Sequence, residues 1–87
     1  MLKISQRHRN NITFLDMKGT LDIEAEDLIK RAIANEPSNS NGNFVFNDVG
    51  TITSSGIGIL LNAYMEISKK GGVAKLSNVK PSVLDAF

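Results

Sequence analysis

Apolar residues alternate with polar ones over residues 1–5, and apolar character returns over residues 12–17 after a polar stretch. A period of two predicts β-strands with one face toward solvent. The Asn10-Asn11 pair between the two segments tolerates the left-handed backbone that a hairpin bend requires. The first part of the chain therefore predicts a β-hairpin, with residues 6–11 as its turn.

After Asp22 the apolar spacing changes to the three- and four-residue intervals of an amphipathic helix. Asp22 is suited to cap this helix, and acidic residues in the first turn followed by Lys30 and Arg31 suit the helix dipole. We therefore predict a first helix over residues 23–34. Its core-facing positions would be Ala25, Leu28, Ile29, Ala32 and Ile33.

Residues 35–43 have the composition of a loop, rich in Asn, Ser, Pro and Gly, and a continuous apolar run follows at residues 44–46. Such a run predicts a strand that is covered on both faces. The order strand, helix, strand implies a right-handed crossover and a parallel pair of strands.

A second helix is predicted from residue 54 onward, after a short polar loop that follows the strand. Lys69 and Lys70, followed by two glycines, are typical of its C-terminal end. Its predicted apolar stripe consists of Ile57, Leu60, Leu61, Tyr64 and Ile67, widened by Ile59 and Ala63.

Residues 73–76 predict a further strand, and Pro81 is suited to the first turn of a third helix that the chain barely begins. The element order β-β-α-β-α-β-α predicts the α/β class. We expect a mixed, largely parallel four-stranded sheet with an N-terminal hairpin, helices packed on it and a truncated last helix. The 87 residues provide for one domain, spanning 1–87.

Composition narrows the range of functions. The chain has 41% hydrophobic and 22% charged residues and no apolar run near the ~20 residues of a membrane span, so we expect a cytoplasmic protein without direct membrane insertion. Without cysteine and with the single histidine His8, a metal site or a Ser-His-Asp triad is not expected. A net charge of +1 does not favour nucleic acid. We expect a binding or switching module with no cofactor rather than an enzyme.

The junction before the second helix carries three hydroxyl side chains (Thr53, Ser54 and Ser55) and two glycines (Gly56 and Gly58). Because a helix N-terminus has free N–H groups and a positive partial charge, Ser54 is suited either to cap the helix or to carry a phosphate. Glycine destabilises a helix relative to alanine, so Gly56 and Gly58 in the first turn indicate that another group approaches the helix backbone closely or that the helix packs tightly against neighbouring loops.

Three other features leave alternatives open. Asp22 is a helix cap or a functional carboxylate. The basic segment Arg7 to Arg9 is a solvated turn or a contact for an acidic partner. Tyr64 lies on the apolar stripe, which favours the core.

Three segments together resemble the STAS domain, most closely the bacterial anti-sigma-factor antagonists. Gly19-Thr-Leu-Asp22 resembles the family's G-x-L-D segment, and residues 54–61 (SSGIGILL) are similar to its D-S-S-G-L-G-x-L-L motif, with Thr53 in place of the usual Asp. Residues 71–76 and 78–87 resemble its last strand and final helix. The resemblance covers nearly the whole chain.

The resemblance implies a regulatory role in partner switching. Ser54 would be phosphorylated by a serine kinase that is also the anti-sigma factor, a serine phosphatase would remove the group, and only the unmodified protein would bind the anti-sigma factor. A homodimer or a partner would cover the sheet beside the short last helix. The alternative is an unphosphorylated interaction subunit of a stressosome or of a lipid-trafficking ABC transporter. The expected partner-binding residues are Asp22, Thr53, Ser54, Ser55, Gly56, Ile57 and Gly58.

Overall fold

The four strands, β1 (Leu2–Arg9), β2 (Ile12–Leu21), β3 (Asn41–Ile52) and β4 (Ala74–Ser77), form one sheet in that order in a computed structural model that describes all 87 residues. β1 is antiparallel to β2, and the pairs β2–β3 and β3–β4 are parallel. The predicted α/β class with a largely parallel four-stranded sheet and an N-terminal hairpin is confirmed. A 3-10 turn (Ile23–Ala25) and α1 (Glu26–Ala34) connect β2 to β3, α2 (Ser54–Lys69) connects β3 to β4, and α3 (Pro81–Leu84) follows β4.

The hairpin is longer than the alternation predicts. Its turn contains only Asn10 and Asn11, and Asn10 has a positive φ of 54°. The polar residues before it continue β1, with Gln6 opposite Leu15 and Arg9 opposite Ile12. The prediction of residues 6–11 as the turn is therefore wrong. Most side chains of this edge strand are exposed, so its backbone pairing leaves little apolar signal in the sequence.

β3 runs for 12 residues, whereas the apolar run predicts only residues 44–46. Its polar residues belong to the strand because β2 pairs with it over most of its length. Along it Phe44 and Phe46 are buried while Val45 between them is half-buried. The prediction of a strand covered on both faces is wrong, since α1, α2 and the buried side chains of the sheet share one face.

The helices begin close to the predicted positions. Asp22 caps the 3-10 turn, because its Oδ1 accepts a hydrogen bond of 3.0 Å from the N–H of Glu24. The helix predicted over residues 23–34 thus starts with a 3-10 turn and continues as α1. β4 begins one residue later than predicted. No helix in the structure combines the length and the apolarity needed to cross a membrane.

The core contains 16 buried apolar residues contributed by the sheet, the 3-10 turn and all three helices. Ile29 and Ile33 of α1 are buried as predicted, but Leu61 of α2 is 56% exposed, so the predicted stripe is too wide. Tyr64 packs at the border of the core, with its ring centroid 6.2 Å from that of Phe44. Partial burial raises the pKa of the Tyr64 hydroxyl above its ordinary value.

Candidate partner-binding site

The site lies where β2 and β3 end at the same edge of the sheet. Leu21 pairs with Ile52 in the last position of the parallel ladder. The N–H of Thr53 then donates a hydrogen bond of 3.0 Å to the carbonyl oxygen of Leu21. This bond places the turn after β2, with Asp22, next to the first turn of α2. Carboxyl ends of parallel strands are where α/β proteins commonly bind ligands.

Thr53 is the N-cap of α2. Its backbone is extended (φ −96°, ψ 169°), and its Oγ1 accepts a hydrogen bond of 3.1 Å from the N–H of Gly56. The interpretation of Ser54 as the cap is therefore wrong by one residue. Because Thr53 does the capping, helix initiation does not require the Ser54 hydroxyl.

Ser54 is the first residue of α2, and both Ser54 and Ser55 are exposed. The first-turn N–H groups of a helix have no intrahelical acceptor, and the helix dipole places positive partial charge there. A negatively charged group on the Ser54 oxygen would therefore meet a compatible local field. The geometry permits a hydroxyl modification at this position without breaking the cap.

The two glycines of the motif have different surroundings. Gly56 is buried, and a β-carbon built on it would overlap the carbonyl oxygen of Leu21. Gly58 is exposed, and a β-carbon there would meet no atom within 4 Å. Close packing of α2 on the end of β2 thus explains Gly56. At Gly58 the missing side chain instead leaves the helix backbone open to an approaching molecule.

The outer stripe of α2 is the row formed by Ser54, Gly58, Leu61 and Met65. These positions are spaced i, i+4, i+7 and i+11, so they lie on one helix face, opposite the buried positions Ile59, Leu60, Ala63 and Ile67. Leu61 and Met65 are each 56% exposed. An apolar patch therefore continues from Ser54 along the outside of the helix. The prediction of Leu61 as a core residue is therefore wrong. The spacing of Leu61 and Met65 from Ser54 is the sequence signal for this exposed row.

Asp22 and the 53–58 segment, which include all the predicted partner-binding residues, lie at this one end of the sheet. Ile57 is half-buried on the flank of the outer stripe. The exposed Ile23 follows Asp22 at the same end and is 61% exposed. The sequence gives no signal for the exposure of Ile23, because an apolar residue at a predicted helix start is compatible with burial or exposure.

The basic segment lies at the other end of the sheet. Arg9 pairs with Ile12, which in turn pairs with Asn41 at the start of β3. Arg7 makes two hydrogen bonds to Asp16, of 2.6 and 2.9 Å. This basic segment therefore takes no part in the candidate site.

Comparison with known proteins assigns the family. The model of the STAS domain matches residues 3–87, and the chain belongs to this family. A search of curated protein sequences finds no significant match.

Solved structures agree with this assignment. A candidate anti-sigma factor antagonist from Thermotoga maritima is 25% identical, with a TM-score of 0.80 over 94% of this chain and 73% of that chain. The anti-sigma factor antagonist SpoIIAA in its unphosphorylated form is 20% identical, with a TM-score of 0.75 over 98% of this chain and 81% of that chain. The Bacillus cell fate determinant SpoIIAA in its phosphorylated form is 17% identical, with a TM-score of 0.71 over 98% of this chain and 80% of that chain.

The same fold occurs in other contexts. A sulfate transporter family protein from Wolinella succinogenes is 17% identical, with a TM-score of 0.76 over 90% of this chain and 65% of that chain. A larger protein described as Mglu is 10% identical, with a TM-score of 0.79 over 88% of this chain, which spans only 20% of its length. The fold is therefore shared by proteins of several kinds, and the function must be argued from the site.

Proposed function

We propose that this chain is a regulatory protein-binding domain of a partner-switching pathway. It binds an anti-sigma factor that is also a serine kinase, and phosphorylation of Ser54 ends the binding. The observation that carries the proposal is the exposed Ser54 hydroxyl at the start of α2, free of the capping role that Thr53 fills. A structure of SpoIIAA in its phosphorylated form is among the similar folds, so a protein of this fold can carry a phosphate, which supports the proposal.

The modification is a phosphoryl transfer from ATP. The Ser54 oxygen forms a bond to the γ-phosphorus, the bond from that phosphorus to the β–γ bridging oxygen breaks, and ADP leaves. The hydroxyl proton passes to a base of the kinase. The serine phosphatase reverses the state by hydrolysing the phosphate ester, which returns the hydroxyl and releases inorganic phosphate.

Phosphorylation at this position acts on the surface rather than on the fold. The phosphate adds roughly −1.5 to −2 charges at pH 7, and the N-terminus of α2 tolerates them. On the outer stripe of α2, however, the charge stands in line with Leu61 and Met65. A partner that covers these side chains would have to desolvate the phosphate, so it would dissociate.

The direct test uses the proposed partner, an anti-sigma factor with serine kinase activity. Incubation with that kinase and ATP, followed by mass-spectrometric mapping, is expected to add one phosphate on Ser54. Ser54→Ala should abolish the modification, and Ser55→Ala, one residue further along, is the matched control that should retain it. Phosphate found only on other residues, or none at all, contradicts the proposal.

The binding surface is tested separately by calorimetry with the unmodified chain. Leu61→Asp and Met65→Asp should each weaken binding of the same kinase by roughly tenfold or more, since a partner that covers these positions would have to bury an unpaired carboxylate. Val73→Asp is the matched control, because Val73 is equally exposed (58%) but lies beyond the opposite end of α2. An equal loss in all three variants would argue against the outer stripe as the docking surface.

A second candidate function is a constitutive interaction subunit of a stressosome or of a lipid-trafficking ABC transporter. Thr53 favours it, because the residue before the serine pair is a neutral cap here instead of the motif's carboxylate. The similar transporter-family fold shows that such domains also occur in transport proteins. If Ser54→Ala and Ser54→Asp both leave partner binding unchanged, this second function replaces the first.

A further inference from the structure

The face of the sheet turned away from α1 and α2 is a second exposed surface, which we call the open face. Side chains of one strand alternate between the two faces, and directly paired residues of neighbouring strands share a face. Arg7 lies opposite Phe14, Phe14 opposite Asn43, and Asn43 opposite Lys75, so one row of side chains crosses all four strands. None of these four residues is buried. This face is therefore accessible to another molecule.

The open face carries an excess of positive charge. Its basic residues, all of them exposed, are Lys3, Arg7, Arg9, Lys18 and Lys75. Its carboxylates are Asp16, which pairs with Arg7, and Asp48. The four other cations make no ion pair within the chain. The net charge of +1 for the whole chain therefore averages over a face on which five cations stand against two carboxylates.

Two of the unpaired cations lie directly opposite each other. Lys3 of β1 pairs with Lys18 of β2 in the antiparallel ladder. Like charges in directly opposite positions on one face of a sheet are destabilising. An anionic ligand would relieve this repulsion on binding.

The amide side chains of the open face also offer hydrogen-bond donors. The Oδ1 of Asn41 accepts a hydrogen bond of 2.8 Å from the N–H of Val73, and the Oδ1 of Asn43 accepts one of 2.7 Å from the Oγ of Ser77. The NH₂ groups of both amides make no hydrogen bond within the chain. Ammonium, guanidinium and amide N–H groups donate hydrogen bonds and do not accept them. This set of groups matches phosphate, whose oxygens are acceptors.

Arg7 adds a flat surface in the middle of these donors. Its Nε and Nη2 donate hydrogen bonds of 2.6 and 2.9 Å to the two carboxylate oxygens of Asp16. Its Cζ lies over the ring of Phe14, 4.8 Å from the ring centroid. Asp16 and Phe14 thus hold the guanidinium in place, while the Arg7 side chain remains 54% exposed. Unstacked bases of single-stranded nucleic acid stack on guanidinium planes, whereas an acidic peptide or a lipid headgroup has no base to place there.

The dimensions of the open face suit a short single strand. Lys3 and Arg9 are roughly 20 Å apart along β1, and four strands span roughly 14 Å. Surfaces that bind single strands combine cations that follow the phosphate backbone with planes on which bases stack. We propose that the open face binds single-stranded nucleic acid, with phosphates at the four unpaired cations and one base stacked on Arg7. This surface lies on the opposite side of the sheet from α2 and does not depend on the proposed partner switching.

The test measures binding of labelled thymidine and uridine oligonucleotides of about eight nucleotides to the full chain by fluorescence anisotropy. Binding of either one is expected, with log K falling against log[salt] at a slope of about −2 to −3 for three to four phosphate contacts. Lys18→Gln/Lys75→Gln should weaken binding by about tenfold or more and reduce the slope by roughly 1.4. Lys30→Gln/Lys69→Gln, which removes the same charge from the helices, is the matched control and should bind like the unaltered chain.

Stacking on Arg7 is separated from charge by a second comparison. An abasic oligonucleotide of the same length keeps the phosphates but has no bases, so the unaltered chain should bind it roughly tenfold more weakly than the thymidine one. Arg7→Lys keeps the positive charge and removes the guanidinium plane. The difference between the two oligonucleotides should therefore shrink in this variant, while the salt dependence stays nearly the same.

Several outcomes overturn the proposal. No change in anisotropy up to about 1 mM protein would show that the surface has no useful affinity. An equal loss in the helix control, or equal affinity for the abasic and thymidine oligonucleotides, would remove the role of the open face or of Arg7. Tighter binding of a polyglutamate peptide would identify an acidic protein as the occupant, and binding only to phosphatidylglycerol vesicles would identify a membrane. None of these results bears on whether a kinase modifies Ser54, so the two proposals fail separately.

Discussion

The carbonyl oxygen of Leu21 occupies the space that a β-carbon on Gly56 would need. Leu21 also accepts the hydrogen bond from the N–H of Thr53, so one residue at the end of β2 contacts the first turn of α2 twice. The start of α2, and with it the exposed Ser54, is therefore held by backbone contacts to a neighbouring strand. A modification of Ser54 would therefore leave the position of the helix start unchanged.

This relationship predicts opposite effects for the two glycines of the motif. Gly56→Ala should lower the free energy of unfolding by about 1–3 kcal/mol, because the clash is with backbone, which does not move aside cheaply. Denaturant unfolding of the variant beside the unaltered chain measures it. An unchanged transition midpoint would show that the packing of α2 on β2 is looser than described.

Gly58→Ala is the matched change at the open glycine. It should raise the free energy of unfolding by about 0.5–1 kcal/mol, since alanine is the better helix former and the new methyl group meets nothing. The same unfolding experiment applies. If this methyl group also weakens binding of the kinase partner, the exposed backbone at Gly58 lies within the interface.

The assignment of the cap to Thr53 separates two adjacent hydroxyls. Thr53→Ala should cost about 1 kcal/mol of unfolding free energy, because the Gly56 N–H loses its acceptor. Ser54→Ala should change stability by less than about 0.5 kcal/mol, as expected for an exposed position without a capping role. A larger loss of unfolding free energy in Ser54→Ala than in Thr53→Ala would show that Ser54, not Thr53, caps the helix.

Thr53→Asp is predicted to keep the cap, since aspartate caps a helix at least as well as threonine. It also restores the carboxylate that the family motif has at this position. We expect faster phosphorylation of Ser54 by the partner kinase, measured as phosphate incorporated over time. A slower rate would mean that this kinase has adapted to a neutral residue before its target.

Lys70 joins the ends of the two main helices. Its Nζ donates hydrogen bonds of 3.1, 3.4 and 3.1 Å to the carbonyl oxygens of Ile33, Ala34 and Glu36, which lie at and just beyond the end of α1. Lys70→Met should therefore lower the unfolding free energy by about 1–2 kcal/mol. Lys69→Met is the control next to it, and as its amino group contacts only the exposed Glu66, it should be close to neutral.

The pair of Arg7 and Asp16 on the open face of the sheet predicts a small dependence of stability on pH. The hydrogen bonds from Arg7 lower the pKa of the Asp16 carboxyl below its ordinary value of 3.8. Because the folded-state pKa is the lower one, the pair stabilises the fold above the unfolded-state pKa, and this contribution is lost as the pH falls through the folded-state value.

Unfolding of the unaltered chain and of Asp16→Asn should therefore differ at neutral pH and converge in acid. The difference is expected to be small, since both side chains are partly exposed to solvent. Arg7→Gln serves as the control, because it removes the cause of the pKa shift and should weaken the same acid dependence. A gap that persists unchanged at low pH would assign the effect to something other than this pair.

The sequence alone determined the class of fold and the order of its elements. Some signals are local. They are the helical spacing of apolar residues after Asp22 and after the serine pair, and the Asn10-Asn11 bend, and they can be read without knowing the rest of the structure. The same is true of the motif that indicates the family and of the position of Ser54 near a helix start. These features depend on residues close together in the chain, so they can be recognised without knowing what packs against them.

Only the tertiary structure decided the rest. The polar residues of β1 and β3 form strands because their backbone groups pair with those of neighbouring strands. The pattern of side chains does not reveal this pairing. Thr53 rather than Ser54 is the cap, Gly56 rather than Gly58 is required by packing, and Leu61 lies outside rather than inside. Each of these distinctions turns on which atoms from distant parts of the chain stand next to a residue. Burial and close approach are therefore properties of the folded molecule, not of the residue type.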